Sequence, residues 1–142
     1  MLSALQCARG GSLSLPDHTD IAQRWLRWAD EDLALAEHII VGTDVVSRGA
    51  CVFAHQAAEK ALKALLILRN IDPPKLHDLD RLALRLPDDE GSAFAAIELP
   101  ELTRWSMEGR YPADIDEATH ADALKAIDVA RRVLDVARSL IG

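Results

Sequence analysis

The twenty residues CVFAHQAAEKALKALLILRN, 51 to 70, constrain the fold more than any other stretch of the chain. Set about 100° apart around a helix, Ala54, Ala57, Ala58, Ala61, Leu65 and Leu68 form the middle of an apolar arc wider than half the circumference. A helix that is apolar on so many sides is surrounded by others, and its alanines let those neighbours approach closely. The stretch therefore reads as the central helix of a bundle. Its narrow remainder, Val52, Gln56, Glu59, Lys63 and Leu66, is spaced alternately by four and three residues, a second seam with apolar ends and a polar middle. Such a line is either solvated, with a Glu59–Lys63 pair contributing about 0.3–0.5 kcal/mol, or the contact face of a second subunit. Periodicity leaves both readings open.

The flanking sequence repeats the helical pattern. Aromatics make up only 4% of the residues and β-branched runs are scarce, so strands have little to be made from. Thr19 or Asp20 can cap a first helix with Ile21, Trp25, Trp28, Leu33, Ala36 and Ile40 facing the core, and Gly42 can end it. Ser47 can cap the second helix, which runs from about Gly49 to Asn70 and is broken by Pro73 and Pro74. A short helix follows His77 or Asp78 and carries Leu79, Leu82, Ala83 and Leu86. Pro100 can open a further helix, with Leu102, Trp105 and Met107, that stops at Gly109. Arg110, Tyr111 and Pro112 are extended or turned, since Tyr111 precedes a proline. A last amphipathic helix spans about Glu117 to Ile141. Together these predict an all-α, up-and-down helical bundle of four main helices plus a short helix over residues 17–142, with residues 1–16 as a flexible arm.

A length of 142 residues, 49% of them apolar, suits one domain with a real core. The net charge of −7 opposes non-specific binding to nucleic acid, yet residues 48–85 hold seven Arg or Lys against four acids, which leaves −10 for the remainder. The central segment is thus the basic part of an acidic chain. No apolar run approaches the roughly 20 residues that cross a bilayer. Cys7 and Cys51 have neither zinc-site spacing nor a disulfide framework, and both suit a reducing cytoplasm.

Catalytic signatures are missing: there is no phosphate-binding glycine loop, no HExxH and no GxSxG. None of His18, His38, His55, His77 and His120 pairs with another at i, i+4, so no metal site and no cofactor is expected. A metal-independent nuclease would need a histidine base beside an arginine, and the candidates for the base are His77 and His55. His55 falls on the border of the apolar and polar arcs of its helix, which makes it a hydrogen-bonded boundary residue. His77, at a helix start, could help hold an anion, and Arg104 and Arg110 could bind phosphate or pair with Glu101 and Glu108.

The runs WLRWADEDLALA (25–36), CVFAHQAAEKALKALL (51–66), HDLDRLALRL (77–86) and GRYP (109–112), in that order before a long amphipathic helix, resemble the HEPN domains (higher eukaryotes and prokaryotes nucleotide-binding) over about residues 21–141. The resemblance implies a helical bundle that commonly dimerises and is often encoded beside a minimal nucleotidyltransferase. Many relatives form toxin and antitoxin pairs, and some are ribonucleases. Those ribonucleases carry an Arg, then four to six residues, then a His. Here Arg104 is followed by Arg110 and Tyr111 with no histidine, which removes the general base. Binding survives that loss, with Arg110 as a phosphate clamp and Tyr111 as a stacking ring.

The reading is then a non-catalytic HEPN-like partner of a nucleotidyltransferase: a cytoplasmic homodimer binding nucleotide or RNA. Lys60, Lys63, His77, Arg104, Arg110 and Tyr111 are the ligand-binding set, and Val52, Gln56, Glu59, Lys63 and Leu66 the interface. The alternatives are an endoribonuclease toxin with a dispersed histidine base and a purely structural interaction module.

Overall fold

Asp17 opens the first helix, α1 (His18–Ile40): its Oδ1 accepts the Asp20 N–H at 2.8 Å. The cap falls ahead of the expected Thr19 or Asp20, and Asp20 instead lies in the first turn, where its charge complements the helix dipole. The computed structural model describes residues 17–42, 46–107 and 110–141, so the arm expected at residues 1–16 lies outside them. The second helix, α2 (Ser47–Leu68), starts two residues before Gly49, and Ser47 is its first residue, not its cap. Its end is a Schellman closure. Asn70 adopts φ 59°, and the N–H groups of Asn70 and Ile71 return to the carbonyls of Ile67 and Leu66 at 2.9 and 2.8 Å. Asparagine tolerates that left-handed conformation better than most residues, and the two prolines follow at once.

Three short helices come next: α3 (Leu79–Leu84), α4 (Asp88–Gly91) and α5 (Leu99–Thr103), with a 3-10 turn over Ser92–Phe94. Asp78 caps α3 as expected, its Oδ1 accepting the Arg81 N–H at 3.3 Å. The helix expected from Pro100 to Gly109 is only α5. Beyond Thr103 the chain turns, because the Arg110 guanidinium draws the carbonyls of Arg104 and Ser106 to itself, groups a continuing helix would have used. Glu108 and Gly109 lie outside the described residues. The last helix, α6 (His120–Ile141), begins three residues after Glu117 because Thr119 and Asp122 cap it reciprocally, at 2.9 and 3.0 Å.

Ion pairs report the topology. Asp32 of α1 holds Lys60 of α2 and Ile39 packs beside Gly49 near the start of α2, while Glu37 and Asp30 hold Arg131 and Arg138 of α6, so α1 runs antiparallel to both. Cys51 near the start of α2 feels the charge of Asp122 at the start of α6, and Ala64 and Ile67 at the other end share an apolar cluster with Ile141. The helices α2 and α6 are therefore parallel, and the return leg of the up-and-down bundle is the broken series α3–α5. Among the described residues there is no strand.

The helix α2 occupies the centre as its alanines predict: Ala50, Ala54, Ala57, Ala58, Ala61 and Ala64 are fully buried, as are Leu62, Leu65 and Leu66. Burying each such leucine contributes about 1.5–3 kcal/mol. Trp105 is buried, but Trp28 is not the core anchor expected. It is 42% exposed and lies under the Arg24 guanidinium, 5.3 Å from its ring centre. The helical angle explains this: Ala29, Leu33 and Ala36 take the inward positions, and Trp28 falls on the rim beside them.

Candidate functional site

Along the second seam of α2 the polar groups are neither bare nor idle. Glu59 is buried, with its carboxylate shared between two donors: Lys63 Nζ donates to Oε2 at 3.3 Å, and His77 Nδ1–H donates to Oε1 at 2.7 Å. Lys63 is one turn further along the helix, whereas His77 reaches Glu59 from the segment between α2 and α3. The His77 carbonyl accepts a hydrogen bond from His55 Nε2–H at 2.9 Å. A carboxylate orienting an imidazole in this way is the arrangement of acid–base dyads.

His55 is fully buried, not the boundary residue its helical position suggested, because the 71–78 segment folds over that flank of α2. Its Nδ1 has no hydrogen-bond partner. Burial pushes its pKa down from the usual imidazole value, against the smaller opposing effects of the His77 carbonyl and Glu59. The unfolded chain therefore binds a proton that the folded one rejects. The contribution to stability is complete above about pH 6.5, where His55 is neutral in both states, and is lost progressively as pH falls below that value. Denaturant unfolding at pH 7.5 and 5.5 should show a lower midpoint at the acid pH, and His55→Gln should flatten that part of the slope.

A second group of residues lies where α5 ends. The Arg110 guanidinium pins a loop: Nη1 donates to the Arg104 carbonyl at 2.6 Å and the Ser106 carbonyl at 3.4 Å, and Nη2 to the Asp114 carbonyl at 2.9 Å. The pinned loop presents Tyr111 with 76% of its surface exposed. Arg104 lies over the Trp105 ring, 4.6 Å from its centre, and its ion pairs among the described residues are with the exposed carboxylates of Glu101 and Asp116, at 3.7 and 3.4 Å. Such pairs exchange readily for another anion, since exposed ion pairs contribute about 0–1 kcal/mol. A hydrogen bond from the Leu79 N–H to Thr103 Oγ1 at 3.1 Å runs between the segments that carry the two groups.

The expected ligand-binding residues thus divide. Lys63 and His77 are brought together on Glu59, Arg104 and Tyr111 share the loop, Arg110 is that loop's internal pin, and Lys60 is drawn aside by Asp32. Of the expected interface, Val52, Gln56 and Lys63 are half-buried, while Glu59 and Leu66 are covered by the chain itself. The basic balance of residues 48–85 is reduced from outside the segment by Asp32 and Glu90, which take Lys60 and Arg69, while Glu59 and Asp78, already counted in it, take Lys63 and Arg81. Sequence reasoning missed the Glu59–His77 pair, which spans eighteen residues and two elements and leaves no periodic signal. Among the described residues no group of three or more His, Cys, Asp or Glu could hold a metal ion, and no helix is long and apolar enough to cross a membrane.

A family model described as HEPN domain matches residues 22–140. Two solved structures are similar. The crystal structure of ST0689, an archaeal HEPN homologue, is 27% identical, with 85% of this chain and 98% of that one covered at a TM-score of 0.66. That of TT1696 from Thermus thermophilus is also 27% identical, with 83% and 96% covered at 0.66. No curated protein matches the chain.

Proposed function

The chain belongs to the HEPN family, and from that premise we propose that it is a non-catalytic partner subunit of a minimal nucleotidyltransferase, binding nucleotide or RNA in the cleft of a homodimer. The observation that carries this reading is the Arg104–Tyr111 loop. The Arg104 guanidinium pairs with the exposed carboxylates of Glu101 and Asp116, Tyr111 is 76% exposed, and Arg110 ties the Arg104, Ser106 and Asp114 carbonyls together between them. Phosphate suits the first group and a nucleobase the second. No histidine follows Arg104 in this loop, so binding proceeds there without a general base. Dimerisation is the common habit of HEPN domains, and the outer face of α1 supplies apolar surface for it: Trp28 and Leu35, seven residues apart, are 42% and 45% exposed.

Calorimetric titration of the full chain with mononucleotides and short RNA tests the cleft. Binding is expected, with Tyr111→Ala weakening it by about tenfold, the loss of one base stack. Absence of heat up to millimolar ligand removes the cleft from the proposal.

The Glu59–His77 dyad favours a second reading, an endoribonuclease whose base is His77 oriented by Glu59. Cleavage of RNA by the native chain that disappears in His77→Ala and falls in Glu59→Gln would establish it over the first.

A further inference from the structure

The segment between α2 and α3 is fastened at both ends. The Ile71 N–H closes onto the Leu66 carbonyl at 2.8 Å, and the Leu79 N–H donates to Thr103 Oγ1 at 3.1 Å. Between those points Pro73 and Pro74 have no N–H to give, and Asp72 to Leu76 make no backbone–backbone hydrogen bond among the described residues. Leu76 packs on the core, and two side chains of α2 hold His77: His55 Nε2–H donates to its carbonyl at 2.9 Å, and Glu59 Oε1 accepts from its Nδ1–H at 2.7 Å.

Of these fastenings the His55 bond is the one that acid can break from within. His55 is fully buried, and its Nδ1 has no hydrogen-bond partner among the described residues. The neutral ring needs only one acceptor, which the His77 carbonyl supplies; the charged ring carries N–H on both nitrogens, and the second donor meets no acceptor while the segment is closed. Burial weighs most against the imidazolium. The His77 carbonyl and Glu59 favour it, the His77 ring and the Lys63 ammonium oppose it, and the net direction of its pKa is down.

Lifting the segment removes the conflict. Nδ1 then reaches water, and the ring ionises as it does in an unfolded chain, at about pH 6.5. The open segment thus binds a proton that the closed one rejects, and the ratio of open to closed rises about tenfold for each pH unit below that value. The bonds that tie α1 to α2 and α6, Asp32–Lys60, Glu37–Arg131 and Asp30–Arg138, involve no residue of the segment.

We propose that His55 is an acid-released latch: its protonation frees the His77 carbonyl, lets residues 71–78 swing away from α2 and parts the His77 ring from Glu59, while α1, α2 and α6 stay packed. This is independent of what the Arg104–Tyr111 loop binds and of whether His77 acts as a base.

Proteolysis reads the open population when opening and closing are fast relative to cleavage. Thermolysin, which cuts before leucine, is applied to the full chain at pH 7.5 and 5.5, and the rate at the Lys75–Leu76 bond is divided by the rate for a synthetic peptide of residues 71–79. That ratio is expected to rise about tenfold at the acid pH, with α6 uncut. His55→Gln keeps a donor for the His77 carbonyl and carries no charge, so its ratio should not change with pH. His77→Ala keeps the carbonyl and loses the ring, and its ratio should still rise. In the native chain the NMR signals of the His55 ring should titrate over the same window. No rise, a rise that persists in His55→Gln or vanishes in His77→Ala, or α6 cut in step with the segment overturns the proposal, the last because it marks unfolding of the whole chain. So does a His55 ring that keeps its neutral signals while cleavage rises, a result that needs no variant.

Discussion

Glu59→Leu is expected to lower the free energy of unfolding by about 2–3 kcal/mol. The Glu59 side chain is 8% exposed and is the common acceptor for the Lys63 ammonium and the His77 ring. Leucine removes both acceptor oxygens and leaves an ammonium that is itself 13% exposed facing apolar surface. A fully buried charge stripped of its partner would cost about 3–5 kcal/mol, but Lys63 can extend its head toward water and the His77 side chain is one-third exposed, so the smaller figure applies. Glu59→Gln keeps an oxygen for one donor and should cost less than half as much. Urea unfolding of the three chains checks this. Equal stability of native and Glu59→Leu chains would mean that the α2 polar line contributes nothing to the fold and is there only for contact with another molecule.

The central position of α2 gives the second large effect, which runs in both directions of size. Leu65→Ala empties a fully buried site and should cost about 2–5 kcal/mol, the transfer free energy plus the cavity. Ala61→Leu should also destabilise, by about 1–3 kcal/mol, because Ala61 is fully buried and the close approach of neighbouring helices depends on its small side chain. A helix with an open flank would accept the larger residue without cost. Thermal or denaturant unfolding of both variants distinguishes the two situations, and an unaffected Ala61→Leu chain would show that the alanine line faces unfilled space.

What the sequence revealed follows from the range of the interactions involved. The helical bundle was legible because its determinants are local: the alanine arc of α2, the Asp78 cap and the prolines after Asn70 all act within a turn or two. The boundaries were less so. Asp17 caps α1 in place of Thr19 or Asp20, and α5 ends at Thr103, because Arg110 reaches back for carbonyls that no periodicity counts. The side-chain network was legible only in its local part. The Glu59–Lys63 pair is an i, i+4 neighbour, whereas the Glu59–His77, Lys60–Asp32 and Arg69–Glu90 bonds join separate elements. The bonds to Asp32 and Glu90 are also what reduce the basic balance read from residues 48–85. The 81% exposure of Leu84 has no sequence signal, since Leu84 looks like one more member of the HDLDRLALRL helix.

That pairing shapes the functional account. With Lys60, Lys63 and Arg69 committed to Asp32, Glu59 and Glu90, a phosphate ligand of this acidic chain is left to groups such as Arg104, whose partners are exposed and exchangeable. Binding at that loop should weaken as salt rises, with a shallow slope reflecting few phosphate contacts. The apolar outer face of α1, with Trp28 and Leu35, would then bring two such loops into one assembly.

The most direct measurement takes one end-labelled short RNA at saturating full-length protein and reads the same sample twice, for retention on the protein and for length. The account predicts RNA that is retained, released by Tyr111→Ala, and recovered at its original length. RNA recovered shortened, with the shortening abolished in His77→Ala, would contradict it.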